Sequence, residues 1–127
     1  MGKALIVGNA DINQKVSHVL RQAGFETTLI DYDHLGWPGL DRLREEGPDL
    51  LIIGEDSIAA NGVEILPALR RITTASIIVT GNGEEEGIIT ALIHGADAYL
   101  SHSASDEMLL AHVGALMRRQ PLTSAAI

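Results

Sequence analysis

Short, fully apolar runs alternate with longer amphipathic stretches along this chain, and that alternation constrains the fold more than any other feature. Runs at residues 4–7, 50–53 and 77–80 are rich in branched side chains and too short for helices. Such runs are typical of strands that are buried on both faces of a parallel sheet. Two weaker strands are predicted at residues 26–30 and 98–101.

Helical patterns fill the segments that follow the strands. The first predicted helix begins with a capping box formed by Asp11 and Gln14 and ends at Gly24. Alternation of strand and helix predicts an α/β fold, a three-layer, doubly wound parallel sheet of five strands in the flavodoxin-like order 2-1-3-4-5. Four further helices are predicted at residues 38–46, 63–72, 84–94 and 105–119.

Composition narrows the class of protein. The chain has 127 residues, 46% of them apolar, which fits one domain, assigned to residues 3–119, with 120–127 as a tail or the start of a linker. It has no cysteine and no apolar run of about 20 residues, so we expect a cytoplasmic protein without membrane association.

The distribution of charge indicates the kind of partner. The net charge is -8, and no Lys or Arg occurs between Arg71 and Arg118. Nucleic-acid binding requires a basic surface, so direct binding to DNA or RNA is not expected. The acidic C-terminal third favours a basic protein partner.

Two segments resemble the receiver domains of response regulators. In the first, Ala4-Leu5-Ile6-Val7 is followed by Gly8-Asn9, where receivers have an apolar strand that ends in an acidic pair. In the second, the run at residues 49–54 ends in Gly54, where receivers have the phosphoryl-accepting aspartate, and continues through a loop to residues 61–66. The resemblance covers about residues 3–119. It implies a chemotaxis-regulator-like fold and a role in two-component signal transduction or a phosphorelay.

The resemblance implies a degenerate phosphoacceptor pocket at the carboxyl ends of the strands. Receivers have an acidic pair, the acceptor aspartate, a Thr or Ser, and a Lys-Pro pair there. The corresponding residues here are Gly8, Asn9, Gly54, Thr80, His102 and Ser103. None of them carries a carboxylate, whereas Mg²⁺ prefers oxygen ligands and phosphoryl transfer needs a carboxylate nucleophile. We therefore expect no metal, no cofactor and no enzymatic activity.

The residue after His102 also carries a structural expectation. The Lys-Pro bond of receivers is commonly cis, but a cis bond without proline costs about 2.5–4 kcal/mol. We therefore predict a trans bond between His102 and Ser103.

Nearby carboxylates leave two alternatives open. Asp56 is the best placed, whereas Asp11 is already assigned to a helix cap and Glu55 is expected to point away from the pocket by strand alternation. One alternative is a regulator phosphorylated on Asp56 or Asp11 in a non-standard pocket. The other is a small-molecule sensor that uses the emptied pocket.

Thr80 and Tyr99 correspond to the couple that changes position with the signalling state in receivers. Their retention is consistent with a two-state switch driven by binding rather than by phosphate. The alternative is that Tyr99 is an edge-strand aromatic residue that covers the core.

These observations predict an atypical receiver, or pseudo-receiver, that acts through protein contacts independently of phosphorylation. The resemblance assigns the contacts to the face formed by the predicted fourth helix, fifth strand and fifth helix. Partners would be a fused or separate output domain or a histidine kinase, with a homodimer as an alternative. Residues 116–120 resemble the junction that leads into a DNA-binding domain.

Overall fold

Five parallel strands form one sheet between two layers of helices in the computed structural model, which describes residues 2–8, 10–30, 37–62 and 64–118. The sheet order is β2-β1-β3-β4-β5, as predicted. The strands are β1 (Gly2–Val7), β2 (Phe25–Ile30), β3 (Leu50–Gly54), β4 (Ser76–Gly81) and β5 (Ala98–Ser101). The helices are α1 (Ala10–Gln22), α2 (Trp37–Glu46), α3 (Glu55–Asn61), α4 (Ile65–Ile72), α5 (Glu85–His94) and α6 (Asp106–Arg118).

Strand register aligns the carboxyl ends of the central strands. Val7 of β1 pairs with Ile53 of β3, and Gly54 of β3 pairs with Thr80 of β4. Because all strands run in the same direction, the residues that follow them meet at one edge of the sheet. The candidate pocket residues therefore lie at that edge.

Side-chain alternation divides the core into two clusters, one on each face of the sheet. Odd-numbered positions of β3 and β4 pack under α2, α3, α4 and α5, and even-numbered positions pack under α1 and α6. Both faces are covered, which explains why residues 4–7, 50–53 and 77–79 are all apolar. The first face includes Leu5, Val7, Leu51, Ile53, Ile77 and Val79, and the second includes Ala4, Ile6, Leu50, Ile52, Ile78 and Leu100.

The segment after β3 differs from the prediction. A loop was expected before a helix at 63–72, but α3 begins directly at Glu55 and α4 begins at Ile65. Acidic residues in the first turn favour a helix start because they face the positive end of the helix dipole. Gly62, with φ +86, ends α3 and donates its N–H to the carbonyl of Ile58 at 2.7 Å.

The other helix boundaries agree closely with the sequence. Helix α1 begins at Ala10, one residue before the predicted cap, and the side chain of Asp11 lies outside the described part of the structure. Ser105 caps α6 as predicted, accepting the N–H of Met108 at 3.1 Å. The predicted tail at 120–127 lies outside the described residues.

Replacing Leu51 by Ala tests the central position of β3. Leu51 is fully buried, so the substitution should lower the free energy of unfolding by about 2–5 kcal/mol through lost burial and an unfilled cavity. Ile93→Ala is the control, because Ile93 is 74% exposed and its loss should change stability by less than about 0.5 kcal/mol. Urea unfolding of both variants measures the difference, and equal effects would contradict the assigned burial.

Candidate functional site

Gly8 follows β1 at the carboxyl edge of the sheet. The resemblance places the first acidic residue of receivers at this position. Its φ is +137, a conformation that side-chain-bearing residues rarely adopt. A Cβ placed there would lie 3.4 Å from both Asn13 Nδ2 and Ser57 Oγ. An acidic side chain at this position would therefore strain the backbone. Asn9, the other member of the pair, lies outside the described residues.

Gly54 and Thr80 are brought together, as the sequence predicted. A Cβ at Gly54 would lie 3.8 Å from Thr80 Oγ1 and 3.9 Å from the carbonyl oxygen of Val7. These are ordinary van der Waals distances, and Gly54 has an extended backbone with φ -78. The backbone at Gly54 would accept a side chain, so its lack of a carboxylate is a matter of sequence and not of space.

The remaining pocket candidates lie at the surface. Asp56 is exposed in the first turn of α3. His102 is exposed after β5, and its backbone N–H donates to the carbonyl oxygen of Gly81 at 2.8 Å. The His102–Ser103 bond is trans, as predicted. Within the described ranges, no three His, Cys, Asp or Glu side chains are grouped so that they could hold a metal ion.

A hydrogen bond between Tyr99 and Glu55 is the main polar contact at this edge. The Tyr99 hydroxyl donates to Glu55 Oε1 and accepts the backbone N–H of Gly83 at 3.0 Å. The contact joins the first residue of α3 to β5, over the end of β4. Glu55 is the first residue of α3, so strand alternation does not determine its direction; its carboxylate lies beside Gly81 and Tyr99.

Two glycines make room for this pair. A Cβ at Gly81 would overlap both the Glu55 carboxylate and the Tyr99 hydroxyl, and a Cβ at Gly87 would lie 2.8 Å from Glu55 Oε1. Gly87 also lies in the first turns of α5, where glycine is less favourable than alanine. A glycine directly after β4 and another inside a helix were the sequence signals of this close approach.

Thr80 and Tyr99 lie on opposite faces of the sheet. Tyr99 pairs with Val79 and packs against the cluster under α2 to α5, whereas Thr80 pairs with Leu100, which belongs to the cluster under α1 and α6. The described hydrogen bonds of Tyr99 go to Glu55 and Gly83. Sequence reasoning paired Tyr99 with Thr80 and missed Glu55 as its hydrogen-bond partner.

Burial, followed by the hydrogen bond to Glu55, raises the pKa of Tyr99 above its ordinary value of 10.0. The unfolded chain releases this proton near pH 10.0, and the folded chain releases it at higher pH. The stability that the neutral phenol contributes is therefore fully present below pH 10.0 and is lost as the pH rises through the folded-state pKa.

A separate cavity of about 250 Å³ lies beside Thr80, between α1 and α6. Its walls are largely apolar, with Lys15, His102 and Asp106 among the polar residues that line it. Mostly apolar walls with a few polar groups are typical of small-molecule sites, although this cavity is smaller than most of them.

Comparison with known proteins places these observations in a family context. The phosphate regulon transcriptional regulatory protein PhoB of Escherichia coli is 30% identical over 120 residues, which is 91% of this chain and 51% of that protein. The response regulator ArlR of Staphylococcus epidermidis is 35% identical over 97 residues, covering 76% of this chain and 44% of ArlR. The chain thus spans about half the length of the curated relatives it matches.

A solved structure agrees with these relatives. The crystal structure of a two-component response regulator from Clostridium difficile has a TM-score of 0.80 and 25% sequence identity, covering 94% of this chain and 98% of that one. No model of a protein family matches the sequence. Among the described helices, none is both long and apolar enough to cross a membrane.

Gly81→Ala tests the contact between Glu55 and Tyr99. The added methyl group occupies the space of the pair, so it should separate them and lower the pKa of Tyr99 toward 10.0. A tyrosinate absorbance titration, in a Tyr32→Phe background that leaves Tyr99 as the only tyrosine, measures this pKa. Gly54→Ala is the control, because its nearest contact is 3.8 Å away. An unchanged pKa in Gly81→Ala would show that the pair does not lie over Gly81.

The stability of the protein should fall above pH 10.0 in a way that depends on Tyr99. Because the folded state holds the proton more tightly than the unfolded state, raising the pH favours unfolding. Denaturant unfolding at several alkaline pH values should show a smaller decline in Tyr99→Phe than in the parent chain. An equal decline in both would mean that Tyr99 does not titrate differently in the two states.

Proposed function

This chain belongs to the receiver-domain family of response regulators. We propose that it is an atypical receiver of two-component signal transduction, which acts through protein contacts without being phosphorylated. The observation that carries the proposal is Gly54 at the end of β3, beside Thr80, where the resemblance places the phosphoryl acceptor. A glycine has no nucleophile to offer, so the family's reaction has no acceptor at this position.

The rest of the edge supports the same function. Gly8 contributes no metal ligand, and its positive φ disfavours any side chain that could restore one. Mg²⁺ is usually held by one or two carboxylates in phosphoryl-transfer sites, and Asp56 is exposed in α3. We therefore assign no catalytic role to the chain, and the alternative of phosphorylation on Asp56 or Asp11 becomes an outcome of the test below.

Tyr99 is held by a hydrogen bond to Glu55, which does not depend on a phosphoryl group. In the proposed mechanism, the Glu55 carboxylate holds the Tyr99 hydroxyl in one position, and a partner changes that position by binding. A hydrogen bond to a charged group contributes about 1.5–3 kcal/mol, which a protein partner can offset. Signalling by binding therefore needs no covalent modification of the pocket.

The partner surface in this proposal is formed by α5, β5 and α6. Helices α5 and α6 expose five large apolar side chains, each at least 37% accessible, and exposed apolar side chains favour a contact surface. Arg70 and Asp97 form an ion pair with each other, and Asp97 also accepts the N–H of Ile77 at 2.7 Å. Asp97 is thus engaged within the domain rather than held ready for a second copy. The exposed apolar residues are Ile89, Leu92, Ile93, Met108 and Leu110.

The length of the relatives suggests what the partner is. PhoB and ArlR are about twice as long as the matched segment, and PhoB is named as a transcriptional regulator. An output domain, fused or separate, would fit the apolar surface, and a histidine kinase or a second copy of the chain would be alternatives. The net charge of -8 argues that any contact with DNA would belong to the output domain.

A small-molecule sensor is the second candidate function. The cavity between α1 and α6 supports it, because Thr80 and His102 of the emptied pocket both line that cavity. A ligand there would contact the pocket edge without needing Mg²⁺. A rise in melting temperature on addition of a small molecule, abolished by Val19→Trp in the cavity wall, would favour this function.

Phosphoryl uptake tests the proposed function directly. Incubation with Mg²⁺ and acetyl phosphate should give no added phosphoryl group by intact mass measurement, because Gly54 at the end of β3 has no carboxylate to accept it. Beryllofluoride should likewise leave the amide NMR signals of Gly54, Thr80 and Tyr99 unchanged. Stoichiometric uptake would contradict the proposal, and its loss in Asp56→Asn would identify Asp56 as the acceptor.

A further inference from the structure

A groove of about 400 Å³ lies between α3, α4 and α5, and none of the exposed apolar residues of α5 and α6 lines it. Its floor is apolar and includes Ile58, Leu66 and Ala91, all of them buried. Its rim includes the carboxylates of Glu55, Glu84 and Glu86. An apolar floor beneath a charged rim accommodates a side chain that is apolar along its length and charged at its end.

The charge on this rim is not balanced within the described part of the chain. None of the described residues that line the groove is basic, and Glu55, Glu84 and Glu86 form no ion pair with any described residue. The sequence has no Lys or Arg between Arg71 and Arg118, which includes all of α5. Glu86 lies in the first turn of α5, where the helix dipole stabilises it, but the dipole does not supply a counter-ion.

We propose that this groove receives an arginine side chain of a basic partner protein. The methylene stem would pack on Ile58 and Leu66, and the planar guanidinium would bind the rim carboxylates. Arginine suits this site better than lysine because its fork of donors matches carboxylate geometry and because it is less strongly hydrated. The inference rests on the proposed function, in which the chain signals through protein contacts.

Glu55 connects the groove to β5. The same carboxylate that lines the groove accepts the hydroxyl of Tyr99, and Gly87 of the groove lies next to it. A guanidinium bound at Glu55 would compete with Tyr99 for that carboxylate. Occupation of the groove would therefore be sensed at Tyr99, inside the surface assigned to the output partner.

Titration with a blocked tripeptide tests this site. The probe is acetyl-Leu-Arg-Leu-amide, and the matched control is the same peptide with citrulline, which keeps the shape of arginine but has no charge. Amide NMR should show saturable shifts at Gly62, Gly87 and Tyr99, with about tenfold weaker binding of the citrulline peptide. Equal binding of the two peptides would overturn the proposal, as would the absence of saturable shifts or saturable shifts that leave Gly62 and Gly87 unaffected.

Variants of the chain distinguish binding in the groove from attraction to the overall negative charge of the protein. Glu84→Gln/Glu86→Gln should weaken binding of the arginine peptide about fivefold or more, because both carboxylates line the groove. Glu85→Gln/Glu107→Gln removes the same charge, but neither residue is among those that line it, so binding should change less than about twofold. Equal weakening in both double variants would overturn the proposal.

Three further outcomes have distinct meanings. Equal affinity for acetyl-Leu-Lys-Leu-amide would overturn the assignment of arginine. Phosphoryl uptake by the parent chain would overturn the proposed function while leaving the peptide result to stand alone. A negative peptide titration together with absent phosphoryl uptake would overturn the assignment of the groove as an arginine site and would leave the proposed function unchanged.

Discussion

Burial of β3 on both faces is the constraint on which the rest of this structure depends. Residues 50–53 are fully buried between β1 and β4, so their register is fixed by the side chains that must fill the two cores. That register places Gly54 beside Thr80 and brings Gly8 against the start of α3. The geometry of the pocket edge is therefore a consequence of core packing, with glycines at positions 8 and 54.

The hydrogen bond between Glu55 and Tyr99 is the main polar contact at that edge. It joins α3 to β5 over Gly81, and it exists because α3 begins directly after β3 instead of after a loop. Glycine at positions 81 and 87 is needed for the carboxylate to approach so closely. The start of α3 and the glycines after β4 and in α5 thus combine to hold the Tyr99 side chain in the observed position.

The two proposed surfaces use different physical forces. The apolar surface of α5 and α6 offers buried area, whereas the groove between α3, α4 and α5 offers charge recognition by Glu84 and Glu86. Charge complementarity contributes specificity and association rate, and apolar contact contributes most of the affinity. Tyr99 and Glu55 lie between these surfaces, so a partner that touches both would act on the same hydrogen bond.

Within the described part of the chain, the sequence by itself determined the strands, five of the six helices and the sheet order, because short apolar runs and amphipathic helices of this kind can bury their side chains in few ways. It also placed a glycine, Gly54, at the end of β3. Only the tertiary structure decided that α3 forms, that Glu55 turns inward to Tyr99, and that Thr80 and Tyr99 lie on opposite faces. The approach of Glu55 to Tyr99 depends on a contact between residues 44 positions apart in the chain, which the spacing of neighbouring residues does not encode.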